Sequence, residues 1–157
     1  MNSAEQLHHL FMDLVRVAGM LQPDHPIPGL SISLSQAFAL HELDTDTPLS
    51  QRDLAERLRL EKSSVSRMAA EMERNGLLVR ERDQTNRRLY RLRLTDRGRT
   101  LHATMAKDFH LHYERWVAAM TPAEREALVI GLSAFVRAIR EHEAPWQEVR
   151  RAETQPA

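Results

Sequence analysis

The sequence predicts a mainly α fold in which six helices are interrupted once by a β-hairpin. Three observations predict it. Apolar residues recur at i, i+3, i+4 spacing over most of the chain. Ser or Thr start signals precede several of those runs, with Gln, Asp or Glu three residues later. Between Leu89 and Leu94 the period drops from helical spacing to two.

In the first helix, Leu7, Leu10, Phe11, Leu14, Val17, Ala18 and Leu21 share one face, and Ser3 with Gln6 forms a capping box. Three prolines from Pro23 to Pro28 end it and make a linker. Ser33 with Gln36 opens a second helix at about 33–43, followed by a turn from Asp44 to Pro48. Ser50 with Asp53 opens a third at about 50–58, with Leu54 and Leu58 facing inward. After the tight turn Arg59-Leu60-Glu61, a fourth helix runs from about Lys62 to Asn75, striped by Val65, Met68, Ala69 and Met72. Asn75-Gly76 stops it, because both residues tolerate left-handed backbone.

Leu77 to Arg82 then pairs with Leu89 to Leu94, with the polar stretch Asp83 to Asn86 at the tip. Tyr90, Leu92 and Leu94 take one face of the second strand, and Arg91 and Arg93 the other. Thr95 caps a long fifth helix at about 96–119, with Leu101, Met105, Phe109, Tyr113 and Trp116 as its stripe. Thr121-Pro122-Ala123-Glu124 starts the sixth, which buries Leu128, Leu132, Phe135, Val136 and Ile139. Residues 151–157 are polar and expected to fray.

A chain of 157 residues fits one domain and can bury a core without metal or disulfide staples. With no cysteine, it has no disulfide, thiolate metal site or cysteine nucleophile. No stretch approaches the roughly 18 apolar residues of a membrane span, and the first residues lack the basic and apolar regions of a signal peptide. A cytoplasmic protein without membrane contact is expected. Lys plus Arg and Asp plus Glu balance at 22 each, so any case for nucleic acid rests on where the charge sits.

It sits on the hairpin. From Val79 to Arg99 there are eight arginines, Arg80, Arg82, Arg87, Arg88, Arg91, Arg93, Arg97 and Arg99, against the three acids Glu81, Asp83 and Asp96. Guanidinium forms bidentate contacts to phosphate and enters narrow minor grooves. The alternative is a solvated strand face with Arg91 and Arg93 paired to acids. Just upstream, the third and fourth helices have the form of a helix-turn-helix, whose second helix offers its N-terminal residues to base edges. Those residues are Lys62, Ser63, Ser64, Ser66 and Arg67, and Ser50, Gln51 and Arg52 at the start of the third helix join them as DNA-contact candidates. A helix pair followed at once by an arginine-lined hairpin makes a winged helix-turn-helix.

The runs Leu49-Ser50-Gln51-Arg52-Asp53-Leu54-Ala55-Glu56-Arg57-Leu58, Ser63-Ser64-Val65-Ser66-Arg67, Asn75-Gly76-Leu77-Leu78, Asn86-Arg87-Arg88 and Leu94-Thr95-Asp96-Arg97-Gly98-Arg99 resemble the multiple-antibiotic-resistance regulator (MarR) family over nearly the whole chain. The resemblance implies one domain over 1–157, with a winged helix-turn-helix lobe at 31–95. It also implies a homodimer joined through helices in 1–22 and 96–145, and a transcriptional regulator, a repressor released by a small-molecule effector, on a pseudo-palindromic operator in double-stranded DNA. Arg88 becomes the wing arginine of the minor groove, helped by Arg82, Asn86 and Arg87. Two positions depart from the family pattern. Asn86 stands where an Asp usually braces the wing arginine, and Arg59 stands where the turn usually carries Gly. If that turn needs positive φ, Arg59 adopts it at a cost on the order of 1 kcal/mol.

Phe11, Phe38, His41, Phe109 and Tyr113 are candidates for an effector pocket, against core and dimer packing as the reading favoured for any one of them. The eight histidines include the pairs His8/His9 and His110/His112, whose spacing points their rings apart, so no metal site and no cofactor are expected. A zinc-responsive regulator of the same fold, and a winged-helix protein–protein module without DNA binding, remain as alternatives. No enzyme signature is present: there is no glycine-rich phosphate loop, nucleophile elbow or His-Glu-x-x-His.

Overall fold

The computed structural model describes residues 2–18 and 32–142, so the Pro23–Pro28 linker, Leu21 and the polar tail at 151–157 lie outside the described residues. The backbone divides into two compact units, Met1–Lys107 and Asp108–Ala157. The elements are α1 (Ser3–Val17), α2 (Leu34–Leu43), β1 (Leu49–Ser50), α3 (Gln51–Leu58), α4 (Lys62–Arg74), β2 (Leu78–Arg82), β3 (Tyr90–Leu94), α5 (Asp96–Ala118) and α6 (Pro122–Glu141). Among the described residues no helix is long and apolar enough to cross a membrane.

The capping boxes at Ser33/Gln36, Ser50/Asp53 and Thr121/Glu124 form as the spacing predicts, the last with Pro122 in the first turn. The first helix differs. Its box is Asn2 with Glu5, not Ser3 with Gln6, because the Asn2 amide oxygen accepts the Glu5 N–H and the Glu5 carboxylate accepts the Asn2 N–H. A carboxylate at the third helical position also suits the positive end of the helix dipole, which a Gln there does not exploit.

The core of the first unit gathers Leu40 and Leu43 of α2, Leu54 of α3, Val65, Met68, Ala69 and Met72 of α4, Leu78 of β2, Leu92 and Leu94 of β3, and Met105 of α5. All four predicted stripe residues of α4 are in it. Full burial of a side chain of this size contributes about 1.5–3 kcal/mol. The sheet is antiparallel with order β1-β3-β2. Leu78 faces Leu94, and Arg82 faces Tyr90. The two-residue β1, Leu49 against Leu92 and Ser50 against Arg91, was not expected from sequence, since two residues carry no periodicity.

Helices α3 and α4 end alike. The Leu60 N–H reaches the Ala55 carbonyl and the Arg59 N–H the Glu56 carbonyl, and Leu77 and Gly76 repeat this on Met72 and Glu73. Each is a Schellman ending, which needs one left-handed residue. Gly76 supplies it with φ 69, and Arg59 with φ 53. Asn75 takes φ −82 instead, so Gly76 alone is the left-handed residue of the Asn75-Gly76 stop.

The start of α5 is packed more tightly. The Thr95 hydroxyl donates to the Gly76 carbonyl at 2.6 Å and accepts the Gly98 N–H at 3.0 Å. The Thr95 N–H donates to the Leu77 carbonyl at 3.1 Å. A Cβ on Gly98 would stand 2.0 Å from that same carbonyl oxygen.

Among the described residues the apolar stripes outside this lobe are exposed, contrary to expectation. On α6, Leu128, Leu132, Val136 and Ile139 are 39–54% exposed, with only Phe135 half-buried. On α1, Leu7, Leu10, Phe11, Leu14 and Val17 are exposed, and on α5 so are Tyr113 and Trp116. The periodicity marks an apolar face in each helix, and among the described residues that face stays exposed.

Gly98→Ala is expected to lower unfolding stability by about 2–4 kcal/mol, because backbone must move to admit the methyl group. Arg59→Gly is expected to raise it by about 1 kcal/mol by relieving left-handed strain. Urea denaturation at one fixed protein concentration measures both.

Candidate nucleic-acid interface

The eight arginines of the hairpin region separate into two sets. Arg80 pairs with Glu73 at 2.6 Å, Arg93 with Glu81 at 3.0 Å and Arg99 with Asp96 at 3.4 Å. Arg91 pairs with Asp83 at 2.5 Å and lies 3.8 Å from Asp53. For these four the paired-surface reading holds. Arg82, Arg87, Arg88 and Arg97 have no carboxylate in ion-pair range among the described residues. Arg82 donates to the Arg87 carbonyl at 3.0 Å and lies 5.3 Å from the centre of the Tyr90 ring, which orients it without neutralising it. Arg87 and Arg88 are exposed at the wing tip and Arg97 is exposed at the start of α5.

The wing tip is organised by Asp83, which the sequence placed only as part of a polar turn. One carboxylate oxygen accepts the Thr85 N–H at 2.8 Å, the Thr85 hydroxyl at 2.6 Å and the Asn86 N–H at 2.9 Å. The other accepts Arg91 Nε. Asp83 is 8% exposed. Its carboxyl is held far below the usual carboxylate range, first by the Thr85 hydroxyl, then by Arg91 and the backbone N–H groups of Asn86 and Thr85. Asn86 does not brace the Arg88 guanidinium. Its side-chain oxygen accepts the Arg88 backbone N–H at 3.2 Å, so it shapes the turn and leaves the guanidinium free.

On α4, Lys62, Ser63 and Arg67 are exposed and Ser64 and Ser66 are half-buried. The helix opens at Glu61 without a side-chain cap, which leaves its first N–H groups unclaimed by Glu61. At the start of α3, Gln51 is half-buried and Arg52 is exposed and paired with Glu56 at 2.9 Å, an open pair that yields readily to another anion. Ser50 is buried, with its hydroxyl committed to the Asp53 N–H at 3.0 Å, so it holds α3 in place from behind the surface.

Of the effector-pocket candidates, Phe11, Phe38, His41 and Tyr113 are exposed and Phe109 is half-buried. Tyr113 meets Trp116 edge-on at 5.3 Å. His41 meets α5 through His102, with Nδ1 to Nε2 at 3.3 Å, and His102 Nδ1 lies 2.8 Å from Asp44 Oδ2. Because a carboxylate only accepts, His102 carries its proton on Nδ1 and turns Nε2 toward His41. Among the described residues there is no group of three or more His, Cys, Asp or Glu side chains arranged to hold a metal ion.

Residues 29–89 match the model of the MarR family. The chain is 26% identical over 110 residues to the uncharacterized HTH-type transcriptional regulator YfiV of Bacillus subtilis, covering 70% of this chain and 69% of that protein. The structure resembles that of Streptococcus pneumoniae FabT in complex with DNA, with a TM-score of 0.70 and 20% identity over 89% of this chain and 96% of the other. It also resembles Bordetella bronchiseptica BpsR, whose DNA binding is regulated by 6-hydroxynicotinic acid, with a TM-score of 0.65 and 21% identity over 86% and 93%. These structural likenesses establish the winged-helix fold.

The depressed Asp83 carboxyl gives a signed pH dependence. A group whose folded value is lowered contributes stability above its unfolded value, near 4, and loses it as pH falls toward the folded value. Asp83→Asn is expected to unfold at lower urea than the unsubstituted chain at pH 7, and the gap is expected to close progressively below about pH 4. A gap that persists unchanged at pH 3 would assign the effect to shape instead of charge.

Proposed function

We propose that this chain is a MarR-family, sequence-specific DNA-binding transcriptional regulator acting as a homodimer on a pseudo-palindromic operator, a reading supported by the match of residues 29–89 to that family's model. In this reading it is a cytoplasmic repressor, and a small-molecule effector releases it. One observation carries the DNA assignment: the separation of the hairpin arginines into paired and unpaired sets. The unpaired ones lie at the wing tip and at the start of α5, where nothing within the described chain neutralises them. The local field is therefore positive although the net charge is zero, and screening over about 10 Å at 0.1 M salt keeps distant acids from cancelling it.

Lys62, Ser63, Ser64, Ser66 and Arg67 contact the major groove, and Arg88 with Arg82 and Arg87 contacts the minor groove and backbone. Gln51 and Arg52 approach phosphate. The exposed apolar stripes of α1 and α6 support a second copy as their cover, since contiguous apolar surface of this kind marks an interaction site. An effector derepresses only by binding the DNA-incompetent arrangement more tightly than the competent one.

A second reading, a zinc-responsive regulator of the same fold, is favoured by the His41–His102 contact. A separation of 3.3 Å is long for N–H···N, yet suits two nitrogens each about 2.0–2.1 Å from a tetrahedral zinc. Asp44 behind His102 is the carboxylate that metal-bound imidazoles commonly have. Two imidazoles leave the remaining positions to donors from elsewhere.

Selection of bound duplexes from a random pool at physiological salt tests the main reading. A palindrome with half-sites about one helical turn apart is expected, and absence of any salt-dependent retention would favour a protein–protein module instead. On the selected operator, Arg88→Ala is expected to weaken binding across all sequences, and Ser64→Ala or Arg67→Ala to alter which sequence is preferred. Zinc is expected to change operator affinity only under the second reading, and only while His102 is intact. Indifference to both zinc and chelator would dismiss it.

A further inference from the structure

Arg91 stands at a junction that the charge count alone hides. Its backbone pairs with Ser50 of β1 on one side and Glu81 of β2 on the other. It is also the last β3 residue toward the tip with a β1 partner. Beyond it the wing is a two-stranded ribbon, with Tyr90 paired only to Arg82. Two-stranded ribbons twist more than wider sheets and have little independent stability. The wing therefore pivots at Arg91 unless something fixes it there.

The Arg91 side chain meets that requirement. Its Nε donates to Asp83 Oδ2 at 2.5 Å, inside the knot that shapes the wing turn. Its Nη1 lies 3.8 Å from Asp53 Oδ2, the same oxygen that accepts the Ser50 N–H in the capping box of α3. The Asp53 carboxyl is lowered chiefly by its Ser50 hydrogen bonds, with Arg91 adding to them. One guanidinium thus spans an acid of the wing and an acid of the helix pair. Arg93, two residues on and on the same face, pairs with Glu81 of the adjacent strand and ties the hairpin only to itself.

We propose that Arg91 is a positioning residue for DNA binding, a clamp that sets the angle between the wing and the helix pair and so the placement of Arg87 and Arg88 relative to α4. The clamp's role on DNA rests on the function proposed above. The two contacts leave from different nitrogens of a rigid plane, which an ammonium does not reproduce. Lysine at this position keeps one carboxylate and loses the span.

The test uses Arg91→Gln and Arg91→Lys, with Arg93→Gln as control. In the free protein, hydrogen exchange at the Thr85, Asn86, Arg88 and Leu89 amides is expected to accelerate about tenfold in both Arg91 variants and to stay unchanged in Arg93→Gln. Unchanged exchange in the Arg91 variants overturns the clamp, whether or not the chain binds DNA. On the selected operator, Arg91→Gln and Arg88→Ala are each expected to weaken binding about tenfold, and the double variant is expected to lose clearly less than the roughly hundredfold of two independent losses, since Arg87 alone still depends on the clamp. Additive losses overturn the proposal, because Arg91 would then contact DNA on its own account. A wild-type chain that binds no duplex overturns the function proposed above and the clamp's role in it, while the exchange measurement still decides whether the clamp exists.

Discussion

The junction of Gly76, Leu77, Thr95 and Gly98 is the constraint on which the rest of the lobe depends. Three elements meet there: the end of α4, the entry to the wing and the start of α5. A single threonine hydroxyl serves two of them, donating to the Gly76 carbonyl and accepting the Gly98 N–H. The absence of a Cβ on Gly98 lets α5 start against the Leu77 carbonyl. Each hydrogen bond contributes only about 1 kcal/mol, but together they fix a geometry. The wing leaves from Leu77 and returns at Leu94, so both feet of the hairpin are anchored where α4 stops. The exposed residues at the start of α4 and those at the wing tip are thereby referred to one point.

Charge is distributed on the same plan. Arginines near the base of the hairpin and on its flanks are consumed by structure, Arg80 by Glu73, Arg93 by Glu81 and Arg91 by Asp83. Arginines at the tip have no such partner among the described residues. A run of eight looks uniform in sequence, yet it serves two purposes, and only the placement of acids separates them. The acids that do so are spread from Asp53 to Asp96, so spacing along the chain gives no hint of the division. This is why Arg91 reads from sequence as a solvated strand residue and in the structure as the link between wing and helix pair.

What the sequence made legible was local. Capping boxes span four residues and helical stripes span turns, so α2 to α6 and the hairpin could be located from pattern alone. The left-handed Arg59 was raised only conditionally, from the glycine that the resembled family carries in that turn, and the backbone adopts it. What escaped was long-range. The strand β1 exists only because Arg91 and Leu92 arrive beside Ser50 and Leu49. The Asp83 knot needs Arg91 from the opposite strand, and His41 finds His102 across 61 positions. The apolar stripes of α1 and α6 are an intermediate case. Their periodicity identifies an apolar face, but periodicity does not say what covers it, and among the described residues it stays exposed.

Asn86 illustrates how a departure at one position is absorbed by its neighbours. An aspartate there would place a carboxylate beside the wing arginines and lower the positive potential at the tip by one charge. Asparagine keeps the acceptor, which the Arg88 backbone N–H uses, and removes the charge. The rigidity that a carboxylate would give the turn is supplied instead three residues earlier by Asp83, largely buried and saturated with donors. The wing loses a brace on the Arg88 guanidinium and keeps its backbone shape. On a chain of zero net charge that exchange favours attraction to a polyanion over preorganisation of one side chain. A tip of this kind carries a higher positive potential than one with the aspartate, while the Arg88 guanidinium is left without a side-chain brace from Asn86.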